Sequence, residues 1–122
     1  MHTDLASGSL AELITDEEYE RKVRHSNDPF MVTFLSSWDN ECKIIKSEIL
    51  ELSRSFATIK FYQVDITKHA TLRSVFLNKE LPTILFIHNG EDFLTIDEAS
   101  SLRSIREGLE ALQTASKWNS RN

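Results

Sequence analysis

Phe34-Leu35-Ser36-Ser37-Trp38-Asp39-Asn40-Glu41-Cys42-Lys43 is the stretch on which the fold turns. On its N-terminal side it closes the apolar run Phe30-Met31-Val32-Thr33-Phe34-Leu35, nearly continuous, as expected of a strand covered on both faces. On its C-terminal side Cys42, Ile45, Ile49, Leu52 and Phe56 recur at spacings of three and four, which predicts a helix over about residues 40–56 with one apolar stripe. Asp39 stands just before that helix, and aspartate is among the best N-caps because its carboxylate accepts the free backbone N–H groups of the first turn. A buried strand, a short loop and a capped helix make the first half of a βαβ unit.

Working outward, residues 1–9 are polar and read as a loose arm, and residues 10–14 as a short edge strand. Thr15 with Glu18 forms a capping box for a helix to about His25, with Tyr19 and Val23 on its buried side. Ser26-Asn27-Asp28-Pro29 stops it. Beyond the central helix, residues 59–66 alternate with strand period, and 69–77 read as a short helix. Leu81-Pro82-Thr83 opens the apolar run Ile84-Leu85-Phe86-Ile87, Asn89-Gly90 is a hairpin signal, and Phe93-Leu94-Thr95-Ile96 returns antiparallel. A last helix from about residue 100 carries Leu102, Ile105, Leu109 and Leu112 on one stripe, and residues 116–122 form a tail that is polar apart from Trp118. The order β-α-β-α-β-α-β-β-α predicts an α/β domain over residues 10–115, with a mixed central sheet and helices on both faces.

At 122 residues the chain suits one such domain. A net charge of −5 with no basic stripe argues against nucleic acid as a partner. No window approaches the roughly 20 apolar residues of a membrane span, and the first residues show no secretory pattern, so the expectation is a cytoplasmic protein. Cys42 is the one cysteine, which excludes an intramolecular disulfide and a cysteine-built zinc site. His2, His25, His69 and His88 share no ligand spacing and read as solvated, so no metal and no cofactor are expected.

With these punctuating residues, the chain resembles the thioredoxin family over about residues 10–112. Trp38, Cys42 and Lys43 stand in register with the Trp, second Cys and Lys of Trp-Cys-Gly-Pro-Cys-Lys. Leu81-Pro82-Thr83 resembles the family's Ile-Pro-Thr, whose proline is cis and faces the active site. Val64-Asp65-Ile66 and His88-Asn89-Gly90-Glu91 resemble two further family segments, the second being its Lys-Asn-Gly-Glu hairpin. The departures matter more. The resemblance puts Asp39 where the attacking cysteine stands, Asn40-Glu41 where Gly-Pro stands, Thr33 at the family's buried aspartate, and Asp97 at a glycine.

Disulfide exchange starts with a thiolate attacking a disulfide and ends with a second thiol releasing the product. A carboxylate at Asp39 accepts the hydrogen bonds that would stabilise that thiolate but cannot attack sulfur. Thr33 offers no base near neutrality. Cys42 reads either as a small buried hydrophobe or as a thiol open to reversible capture. The expectation is a thioredoxin-like protein-binding module without dithiol–disulfide oxidoreductase activity, in an adaptor, assembly or chaperone-like role. Its groove would comprise Trp38, Asp39, Asn40, Glu41, Cys42, Leu81, Pro82 and Thr83. Pro82 either leaves the Leu81 backbone free to pair with an extended partner segment or merely shapes the strand entry. The alternative is a monothiol redox protein in which Cys42 works with an external thiol such as glutathione. A monomer or weak homo-oligomer is expected, as is a protein partner.

Overall fold

Strands form where the apolar runs lie. In the computed structural model, which describes residues 11–12, 16–36, 38–68, 81–96 and 102–120, five strands make one sheet in the order β1-β3-β2-β4-β5. They are β1 (Ala11–Glu12), β2 (Phe30–Leu35), β3 (Lys60–Asp65), β4 (Thr83–His88) and β5 (Glu91–Ile96). β1, β3 and β2 run parallel, while β4 and β5 pair antiparallel, so the sheet is mixed as expected. β2 is central and buried at all six positions, which is why its sequence shows no polar alternation.

Alternating residues of β2 feed two cores. Phe30, Val32 and Phe34 join Val23, Val64, Ile66 and Ile87 on one face. Met31 joins Ile45, Ile49, Ile84, Phe86 and others on the opposite face. The first core is covered by α1 (Asp16–Tyr19), which widens into a π-helical turn at Glu20–Arg24 with His25 N donating to Glu20 O at 3.1 Å. The second is covered by α2 (Asn40–Ser55) and α3 (Leu102–Ser120). Helices therefore lie on both faces. The Thr15 cap, the helix over 69–77, Asp97 and the arm over 1–9 fall outside the described residues.

Three details differ from the sequence expectation. β3 ends at Asp65, and Ile66–Lys68 is a 3-10 turn. The Asp65 carboxylate accepts from Thr67 N (3.0 Å) and Thr67 Oγ1 (2.5 Å), a local bond that competes with strand continuation. Leu102, expected in the apolar stripe, is exposed. The buried register of α3 is Ile105, Gly108, Leu109 and Leu112, and Gly108 lets the helix approach so closely that a Cβ there would lie 2.7 Å from Phe86 Cζ. The helix also continues through Ser120, past the expected start of a tail, since 116–120 contain no glycine or proline to stop it.

The hairpin follows its signal. His88 pairs with Glu91 around Asn89 (φ 55°) and Gly90 (φ 78°), a two-residue turn that needs positive φ twice. At Gly90 a Cβ would also lie 2.2 Å from Arg24 O. Arg24 fastens the turn to α1: Nη1 donates to Gly90 O at 3.0 Å and Nη2 lies 2.6 Å from Asp92 Oδ1.

Candidate functional site

The loop from β2 to α2 carries the residues singled out in the sequence, and Ser36 organises it. The Ser36 carbonyl accepts from Asp39 N (3.2 Å), its Oγ accepts from Trp38 N (3.2 Å), and its own N–H donates to Cys42 Sγ (3.4 Å). Nothing in the sequence reading selected Ser36. The available signal was a serine directly after a strand, where its hydroxyl closes a turn two residues on.

Asp39 is the N-cap of α2. Its Oδ1 accepts from Cys42 N at 3.4 Å, and its carbonyl accepts the first helical bond, from Lys43 N at 3.1 Å. The side chain expected to hold the backbone does so at the third residue of the helix, where N-caps bond. Asn40 is exposed, and Glu41 lies in the first turn. Cys42 begins the buried stripe and is only 1% exposed. Trp38, two residues past the ordering serine, is 79% exposed and so presents its indole to the surface instead of packing on a neighbouring loop.

Leu81-Pro82 is a cis peptide bond at the entry to β4. Leu81 is half-buried, and Pro82 and Thr83 are buried. The register pairs Phe34 with Thr83, so one antiparallel step onward puts Pro82 beside Leu35. The two groups of predicted residues thus meet at one end of the sheet. Their positions follow from β2 being hydrogen-bonded to β4, a pairing no local pattern announces.

Beneath the loop, Thr33 is 1% exposed and its Oγ1 has no hydrogen-bond partner among the described residues; the same holds for Gln63 Oε1. The two residues are Cα partners across β2 and β3. Beneath the loop, therefore, a neutral hydroxyl stands beside a neutral amide. Between α2 and the end of β3 opens a cleft of about 220 Å³. Buried Ser36, Cys42 and Asp65 line it with half-buried Gln63 and the exposed Lys43, Lys46 and Lys68. The sequence reading missed Lys46, Gln63 and Lys68, because they come together only when β3 packs beside α2. No group of three His, Cys, Asp or Glu that could hold a metal occurs among the described residues, and no helix among them is long and apolar enough to cross a membrane.

Chemically, this end of the sheet has an aromatic surface, a capped helix start and one shielded sulfur, with a hydrogen bond donated to that sulfur. A two-thiol exchange has no second cysteine in this chain to draw on.

Comparison with known proteins places these features. The family model for thioredoxin matches residues 11–111. Thioredoxin of Buchnera aphidicola is 28% identical over 98 residues, 80% of this chain and 91% of its own length. Thioredoxin of Rickettsia felis is 28% identical over 83 residues, 67% of this chain and 79% of its own length. Among solved structures, thioredoxin of Trypanosoma brucei brucei superposes with a TM-score of 0.78 at 19% identity, covering 93% of this chain and 99% of that one. At that identity the structural likeness establishes the thioredoxin fold.

Proposed function

The chain belongs to the thioredoxin family, and on that premise we propose that it is a non-catalytic member: a protein-binding module in an adaptor, assembly or chaperone-like role. One observation carries the reading. The only thiol sits at the resolving position, 1% exposed, while the position from which a thiolate would attack holds a carboxylate engaged in capping the helix. An attack on a disulfide needs an accessible thiolate, and release of the product needs a second thiol. The relatives are named thioredoxins, and their name covers the fold and ancestry of this chain. Asp39 in place of a thiol supports the loss of dithiol activity in this reading.

What remains suits recognition. Trp38 is an exposed aromatic on a loop already ordered by the three Ser36 hydrogen bonds, so its immobilisation costs little on binding. Trp38, Asp39, Asn40, Glu41 and Cys42 on one side, with Leu81, Pro82 and Thr83 on the other, form the groove in this reading. An extended partner segment would pair with the backbone near Leu81 and lay an apolar side chain on Trp38. Nucleic acid and membrane are not partners in this reading, and the module is a monomer or weak homo-oligomer. A cytoplasmic setting, where thiols stay reduced, fits a lone buried cysteine.

One observation favours a second reading: Cys42 lines the cleft, so a small external thiol such as glutathione has an approach to it. The rate of iodoacetamide alkylation against pH separates the two. A midpoint near or above the ordinary 8.5 or so supports the module, and one below about 7 supports a monothiol redox protein. The module itself is tested by affinity capture with wild type and Trp38→Ala, alongside insulin reduction. The expected result is a captured partner lost in Trp38→Ala and no reduction. Steady turnover with a thioredoxin reductase would overturn the reading.

A further inference from the structure

We draw no further inference here: the strongest candidate, the outer edge of strand β5 with its exposed Phe93 and Leu94, carries none because nothing in the structure shows what covers it.

Discussion

Replacing Asp39 by alanine separates the two things a carboxylate at the start of α2 can do. Its structural work includes a cap bond to Cys42 N, and at 3.4 Å that bond lies beyond the usual range for N–H···O. Cap removal costs about 0.5–2 kcal/mol, and a long, partly exposed bond belongs in the lower half of that span, near 1 kcal/mol. The charge adds about 0.3–1 kcal/mol through the helix dipole, a part that salt screens. Asp39→Asn keeps the acceptor and loses only the charge, so it should cost roughly 0.3–0.5 kcal/mol. For a domain of this size Asp39→Ala should lower Tm by about 3–5 °C, measured by circular dichroism at pH 7 in low and in 0.5 M salt. Neither variant should gain insulin reduction. If Asp39→Ala is as stable as wild type or more so, capping does not explain the carboxylate, and its presence would rest on recognition alone.

Burial pushes the Tyr19 phenol up to about 12, with the nearby Arg24 charge pulling it the other way. Below pH 10 or so both states hold the proton; above it the unfolded chain releases one that the fold retains, so stability should fall between about pH 10 and 12. Urea midpoints at pH 9 and 11 should show a smaller drop in Tyr19→Phe than in wild type; an equal drop would remove Tyr19 as the cause. Thr33→Val deletes a buried hydroxyl that has no partner among the described residues, so it should be neutral or stabilising by up to about 1 kcal/mol in urea titration. A loss above about 1 kcal/mol would mean the hydroxyl is satisfied. Gly108→Ala gains about 1 kcal/mol of helix propensity but drives a Cβ to within 2.7 Å of Phe86 Cζ in a full core. Overpacking costs about 1–3 kcal/mol, so calorimetry should find a net loss, and a higher Tm would show that Phe86 can yield.

The elements were legible where one physical demand dominates the local sequence. β2 reads as an apolar run because both its faces are covered, and α2 reads as a stripe because one face is. Asn89-Gly90 announced its turn because few residues tolerate φ of 55° and 78° in succession. The Asp39 cap was legible for the same reason, being a contact between residues three apart. Leu102 misled because its spacing fits the stripe, yet it stands in the first turn of α3 and is exposed. The π-helical widening after Tyr19 left no trace in the pattern, and no physical account of it emerges from these residues.

Residue identities alone set the chemistry: one thiol, a carboxylate at the helix start, and a neutral threonine within the buried strand. Those facts are covalent and local, and no arrangement of the chain could add a second thiol. The tertiary structure decided what surrounds them. It buried Cys42 while leaving Trp38 open, tied both to Ser36, and gathered Lys43, Lys46, Gln63 and Lys68 around one cleft. That gathering depends on which strands lie side by side, and strand order is settled by the burial of the whole sheet between its helices, a global balance that no short window of sequence contains.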